Sequence, residues 1–435
     1  MPRTEIGPAP SNASDEKEGL MRRMMLGTVA VFAVVMLAAG SRPEALSAPE
    51  AEPVPEDVLF LRTSSGISLV RDLPEGVAVN VTNAVPAIDW SAVVRTVFHD
   101  EGSRVEAIDP ESGALLWSRD VDGRLEVDIA SAGAAMVALG DPDEGAGYSF
   151  GRTSTTLVLL EEGVEEPRTI ELSGNYEPEA FSTDGQSLFV VEYLPPRRPT
   201  SYRVRRLDLQ TEEVVGVYTV DAELQESMQG TARVQAASPD GRRLYTLYTL
   251  EAGAGVRHTF VHVLSLDELW AHCIDLPAAF GTSDERAMAI SVAPDGSRLY
   301  VADAATGMVA EADTESLTVT RTTETAFGSR GGRAHAVAGR DGPLYLGRGN
   351  GLLEMDASTW TPGRSWELEE RITGLQTSND GGRLYVGLKD RIVILDTTTG
   401  ARLGVVDPVG LEAIDQLGTS TRSLDEERTA NECAC

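Results

Sequence analysis

Hydrophobic and polar positions fall into three regimes along the chain. Residues Met24 to Gly40 (MMLGTVAVFAVVMLAAG) are apolar or small throughout, with Arg22 and Arg23 directly before them. This charge-free run of 17 residues sits at the lower edge for a membrane-spanning helix and slightly above a typical signal-peptide core. Residues Ser41 to Asp57 then hold four prolines and five acids with no apolar periodicity, the composition of an extended, solvated spacer. From Val58 onward, short runs rich in Val, Leu and Tyr are punctuated by Gly, Asp and Pro, the pattern of short β-strands joined by turns.

Within that third regime five segments share one pattern: small or apolar residues, then Asp-Gly, then leucine with an aromatic. They are Phe181 to Val191, Ala237 to Leu247, Val292 to Ala302, Ala338 to Gly347 and Thr377 to Gly387. Asp-Gly supplies the positive φ of a tight turn, and the alternating flanks predict an antiparallel hairpin. A third strand ending in Asp and a fourth strand follow, as in Val393 to Val406, Val204 to Tyr218 and Val105 to Val121. Four short strands per unit, repeated with little helix, predict an all-β chain folded as a β-propeller of four-stranded blades. Innermost strands are expected near Ile88, Val127, Glu179, Val234, Ile290, Val337, Leu375 and Ile414. The segment Val58 to Val81 supplies three strands without an inner one, so a C-terminal strand around Glu412 to Gln416 is expected to complete it and close the ring. That makes eight blades, or seven if the weak unit Val127 to Leu172 is not one.

These repeats resemble the YVTN and WD-repeat-like bacterial β-propellers over roughly Val58 to Gly418. One unit, Ala107 to Trp117, is similar to the quinoprotein-like repeat Ala-x-Asp-x-x-Thr-Gly-x-x-x-Trp, with Ser112 in the threonine position. The resemblance implies architecture and leaves activity open, because propellers host many functions. The organisation expected is a leader at 1–23, a signal peptide or signal-anchor helix at 24–40, a linker at 41–57, the propeller at 58–418 and a polar tail at 419–435.

Charge changes the picture in two ways. With 68 Asp plus Glu against 37 Lys plus Arg the net charge is −31, which excludes a phosphate-backbone binder. Residues 1–40 hold four basic and four acidic side chains, so the excess lies wholly on the part expected to be exported. Basic residues before the apolar run and acidic ones after it place the N-terminus inside and everything from Ser41 outside. The expectation is therefore an extracytoplasmic propeller, membrane-anchored through 24–40, or secreted if Ala38 and Gly40 serve a signal peptidase.

Candidate chemistry is sparse. There is no Gly-x-Ser-x-Gly elbow, His-Glu-x-x-His, phosphate-binding loop or Cys-x-x-Cys. By position beside the innermost strands, Asp89, Trp90, Asp128, Glu179, Arg233, Gln235, His335 and Asp415 are candidates to line a channel that holds a small ligand. The loop at Tyr193, Arg197 and Arg198, stiffened by prolines and basic on an acidic protein, is a candidate partner contact. His258, His262, His272 and Cys273 form the densest set of metal-ligand types, with His262, His272 and Cys273 the candidate ligands; pairing about Asp267-Glu268 places His262 across from Cys273, and a shift of one residue would instead face it toward His272. Cys433 and Cys435 end the chain and could pair or take a soft metal. The expected function is a non-enzymatic module that binds a protein or small ligand at a propeller face and needs no cofactor. The alternatives are a propeller-type lactonase or hydrolase, using channel acids with His335, and a metal-handling protein using the His/Cys set.

Overall fold

Adjacent strands in this chain bury both faces, and the order of residues shows how. In Leu59–Thr63, Leu59 and Leu61 pack into one hydrophobic cluster with Tyr385 and Ile392, while Phe60 packs the other way with Ile67 and Val93. Side chains alternate across a sheet, so a strand sandwiched between two neighbours reads as a continuous apolar run. Full burial of one such phenyl or leucyl side chain contributes about 1.5–3 kcal/mol.

The computed structural model describes residues 57–419 except 64–65, 72–76, 142–150, 221–222, 253–255, 282–284, 326, 328–330, 341 and 408–413. The expected leader, hydrophobic helix, most of the linker, and the tail with Cys433 and Cys435 lie outside the described residues. What is described is an all-β, eight-bladed propeller, with blades 5 to 8 built on the strands of Thr231–Asp275, Met288–Glu324, Ala334–Glu367 and Gly374–Val406. In blades 2 to 8 the four blade strands pair antiparallel and the innermost comes first, as in blade 4, Asn175–Phe181, Ser187–Leu194, Ser201–Asp208 and Val214–Gly216. The segment Val127 to Leu172 does form a blade, the third, which disposes of the count of seven. Among the described residues, the helical elements are two 3-10 turns, Ala132–Ala134 and Glu285–Ala287, and no helix is long and apolar enough to cross a membrane.

Closure occurs in blade 1, where Ile414–Thr419 pairs antiparallel with Leu59–Thr63 and supplies the innermost strand. The first two residues of the expected strand, Glu412 and Ala413, lie outside the described residues. In blade 2 the inner strand is Ala84–Pro86, so Ile88 lies just beyond it. Blade 5 carries an unanticipated fifth strand, Tyr218–Thr219, which runs parallel to Trp270–Ala271 at its outer edge.

The hydrophobic core is divided among the blade junctions. A cluster combining residues of both neighbours fills each of the eight, from Phe60, Val81 and Val93 between blades 1 and 2 to Tyr385, Ile394 and Leu61 between blades 8 and 1. Antiparallel connectivity puts the turns after the first and third strands of every blade at one end of the ring, and the hairpin after the second strand at the other.

At the first of these ends the Asp motifs account for themselves. Gly185, Gly241 and Gly381 have φ of 66°, 66° and 74°, and each donates its N–H to the serine three residues earlier. Asp184 and Asp240 accept from the hydroxyls of Ser182 and Ser238 at 2.6 and 2.5 Å. Aspartates ending the third strands accept the N–H groups of the next turn, as Asp208 does from Gln210 and Thr211 and Asp313 from Glu315 and Ser316. Arginines then stitch blade to blade: Arg71 donates to Glu111 O, Arg243 to Thr314 O, Arg321 to Ser358 O and Arg364 to Thr398 O. A chain with only two lysines, Lys17 and Lys389, uses the guanidinium because it can reach several carbonyls at once.

Candidate functional site

The innermost strands are not regular, and their irregularities select residues. In blade 3 the pairing runs from Val127–Leu139 to Ile129–Ala138 and skips Asp128. In blade 4 it passes from Pro178–Val190 to Ala180–Phe189 and skips Glu179. In blade 5 it passes from Ala232–Tyr248 to Val234–Leu247 and skips Arg233. A bulge leaves its extra residue unpaired and re-aims its side chain. Three consecutive blades therefore present two carboxylates and a guanidinium at bulges on strands that line the channel. The closing strand of blade 1 has the same irregularity, between Gln416 and Ile414, which puts Asp415 at the skipped position. The inner strands of blades 2, 6, 7 and 8 pair without a skip.

Side-chain contacts bind the three-blade set together. Gln235 Nε2 donates to Glu179 Oε1 at 2.9 Å across the junction of blades 4 and 5, and to Thr246 Oγ1 at 3.1 Å. Arg233 Nε donates to Thr249 Oγ1 at 2.6 Å. The Asp128 carboxylate lies over Gly140, where an added Cβ would come within 2.5 Å of Oδ2, so only glycine leaves it room.

Electrostatically the set is under load. Burial, then the negative charge of Glu177, push the Glu179 carboxyl up to about 7, while the hydrogen bond from Gln235 pulls it down. The same effect of burial, with Glu177 and Glu126 against the opposing pull of Arg152, pushes Asp128 up to about 6. Asp128 is exposed and Glu179 half-buried by surface area, so solvent reaches both. Partial burial among protein groups solvates a carboxylate less well than bulk water, which sustains the upward direction for both.

Glu126 and Glu177 were not singled out from the sequence. Their signal is a polar residue two positions before each candidate, Glu126 before Asp128 and Glu177 before Glu179, in strands that are otherwise mostly apolar.

The remaining candidates disperse. Trp90 is in the turn after the blade 2 inner strand, at φ 60°, with its ring 4.9 Å from Phe60 at the junction of blades 1 and 2. Asp89 caps that turn by accepting from the Ser91 hydroxyl at 2.6 Å and from Gly133 N–H at 3.3 Å. His335 is on the blade 7 inner strand, separated from blades 3 to 5 by blade 6, and burial lowers it to about 4 with Arg333 adding to the effect. Tyr193 donates to Glu177 and is half-buried, so of the three candidate contacts in the rim loop Arg197 and Arg198 are the exposed ones. That loop is fixed at its base by Asn175 Nδ2 donating to Pro196 O at 3.3 Å and by Thr200 N–H donating to Leu194 O at 2.8 Å.

The His/Cys set divides across a sheet. His262 faces Cys273 and Val263 faces His272, the first of the two registers the turn allowed, so His262 does not face His272. Directly paired residues share a face and successive residues alternate, so His272 is on the face opposite to His262 and Cys273. His262 is 2% exposed, is bonded to Gln225 Nε2 at 2.7 Å, and is lowered to about 4 by burial and then His272. Among the described residues no group of three or more His, Cys, Asp and Glu is arranged to hold a metal ion.

No protein-family model and no curated protein matches this chain. Solved structures do match in fold. The crystal structure of AztD from Citrobacter koseri aligns with 84% of this chain and 98% of its own, at 14% identity and a TM-score of 0.52. The apo form of the same protein gives the same coverage at 13% identity and a TM-score of 0.51. At that identity the likeness is one of fold alone.

Proposed function

We propose that this protein is a non-enzymatic, extracytoplasmic binding propeller of the YVTN or WD-repeat-like kind, whose channel takes a small polar ligand bearing a cationic group. The observation that supports this reading is the run of bulges at Asp128, Glu179 and Arg233 on the inner strands of three successive blades. Two carboxylates backed by Glu177 and Glu126 suit an amine or amidine, and Arg233 with Gln235 suits an acceptor on the same molecule. No nucleophile is paired with a base in that set. Arg197 and Arg198, at the hairpin end of blade 4, suit the carboxylates of a protein partner. The hydrophobic segment 24–40 would hold the propeller at the outer membrane surface or direct its export.

Affinity capture of small molecules by the purified protein, read by mass spectrometry, tests the reading. A ligand retained by the wild type and lost by Asp128→Asn/Glu179→Gln supports it. Retention of nothing, or equal retention by the variant, overturns it. A propeller-type lactonase or hydrolase is the second reading, favoured by Glu179 held near neutrality, where a general acid or base works best. Turnover of a lactone or ester by the wild type and not by Glu179→Gln would replace the first reading with this one.

A further inference from the structure

The histidine and cysteine that share a face of blade 5 have a third soft neighbour. Gln225 and Met228 lie in the connection from blade 4 to blade 5, and backbone hydrogen bonds pin that connection to its surroundings. Met228 exchanges them with Tyr202 of blade 4 at 2.9 and 2.6 Å, and Gln225 N–H donates to Val217 O at 2.9 Å. The Met228 sulfur then accepts from the Cys273 thiol at 3.9 Å and from Gln225 Nε2 at 3.7 Å, and Gln225 Nε2 is 2.7 Å from His262 Nε2. His262 and Cys273 are direct cross-strand partners, so the four groups stand together on one face of the sheet. The set holds one histidine and one cysteine, and its third donor is a thioether.

Spacing and chemistry both suit a metal ion. A soft metal ion holds sulfur at about 2.3 Å, so two sulfurs at a trigonal angle stand about 4 Å apart, which is the separation of Cys273 and Met228. Donor atoms already at ligand-to-ligand distance need no cavity, because the ion takes the place of the thiol proton between them. Gln225 Nε2 donates to His262 Nε2 only where that nitrogen presents its lone pair, the form of imidazole that binds metals. The ion would take that lone pair and release the Gln225 amide, whose oxygen is buried without a hydrogen-bond partner among the described residues. Around the set Tyr202, Tyr248 and Phe260 form a stacked wall, with ring centroids 5.2 and 5.4 Å apart, against which Met228 and Cys273 pack.

We infer that His262 Nε2, Met228 Sδ and Cys273 Sγ form a binding site for a single Cu(I) ion at the junction of blades 4 and 5. Thiolate and thioether sulfur favour this soft ion over Zn(II). Charge favours it again: one thiolate with Cu(I) sums to zero, whereas a divalent ion would leave an uncompensated positive charge among aromatic rings. Binding exchanges the Cys273 thiol proton for the ion and releases that proton to solvent, with no transfer of electrons. Until then the thiol keeps its proton. The site shares no residue with the channel set and stands or falls separately from it.

The experiment is anaerobic titration of the full-length protein with tetrakis(acetonitrile)copper(I) in competition with a chromophoric Cu(I) chelator. A Cys433→Ser/Cys435→Ser background leaves Cys273 as the remaining cysteine. One equivalent of bound copper is expected, and X-ray absorption should show two sulfur neighbours and one imidazole nitrogen. Cys273→Ser is expected to abolish binding and Met228→Leu, which keeps the volume and removes the sulfur, to weaken it at least about tenfold. Equimolar Zn(II) is expected not to displace the copper. Absence of binding in the double-serine background, a copper shell without two sulfurs, displacement by equimolar Zn(II), or unchanged affinity in Met228→Leu overturns the inference. The absorption arm reads the unaltered site, so it decides even if a variant fails to fold.

Discussion

The Tyr385 hydroxyl donates to Asp57 Oδ2 at 2.6 Å, joining residues 328 apart in sequence at the seam between blades 8 and 1. Asp57 Oδ1 also accepts the Asn379 N–H at 3.0 Å, so the first described residue is locked into a turn of the last blade. Strand pairing closes the inner edge of the ring, and this buried carboxylate closes the turn end.

Tyr385→Phe leaves a buried carboxylate oxygen without its donor and is expected to lower stability by about 1–3 kcal/mol. A urea midpoint that falls while the far-ultraviolet signal is unchanged would report it. Tyr345→Phe is the internal control: it removes a hydroxyl that has no partner, so its midpoint is expected to hold or rise. Equal losses in the two variants would contradict the assigned contacts.

The hydrogen bond from Gln235 holds the Glu179 carboxyl down against crowding and Glu177. Gln235→Leu is therefore expected to raise Glu179 above its value of about 7, seen as an upward-displaced titration of its side-chain carbon resonance. Gly140→Ala acts on the neighbouring blade, because the new methyl occupies the space of the Asp128 carboxylate. Loss of channel-ligand binding with little change in melting temperature is expected there, since the displaced group is the mobile end of a side chain.

Much of this architecture was legible. The Asp-Gly turns and the buried tyrosines after them recur because each blade must solve the same turn and fill the same junction. Blade 3 was weak in the sequence because its first hairpin contains Gly133-Ala134 in a 3-10 turn in place of Asp-Gly. Position alone brought Asp128, Glu179 and Arg233 forward, but their bulges are properties of cross-strand register and leave no local mark. Tyr193 could have been read correctly, since it shares strand parity with buried Val191. His272 was grouped with Cys273 by adjacency, although neighbours along a strand face opposite ways.

Cys273 is expected to be chemically quiet in the folded protein. Burial first, and Asp275 second, push its thiol up to about 11. At pH 8 about a thousandth of it would be ionised, against about a quarter of an ordinary cysteine. Iodoacetamide treatment followed by peptide mass spectrometry should leave Cys273 unmodified in buffer and modify it in urea. Rapid native labelling would show that the sheet opens at this strand.

The pH dependence of stability sets two opposed groups against each other. His262 and His335 are held near 4 when folded against about 6.5 when unfolded, so the unfolded chain binds more protons between those values and stability falls as pH drops through them. Asp128 and Glu179 run the other way: folded values of about 6 and about 7 exceed their unfolded ones, so the folded state binds more protons and gains stability as pH falls from about 7 to about 4. Two groups of each kind nearly offset, and the melting temperature is expected to be flat from pH 7 to pH 4. Below about 4 the turn aspartates decide. Asp184, Asp208, Asp313, Asp356, Asp380 and Asp396 are all held below the ordinary carboxylate value by hydrogen bonds from backbone N–H groups and hydroxyls. Their contribution is complete above the unfolded value and is lost as pH falls through the folded ones, so the ring should fail steeply there. Differential scanning calorimetry from pH 8 to pH 3 checks the shape. In Asp128→Asn/Glu179→Gln the compensating pair is gone, and the decline is expected to begin near pH 6.5; a double variant that still melts at constant temperature down to pH 4 would exclude the offset.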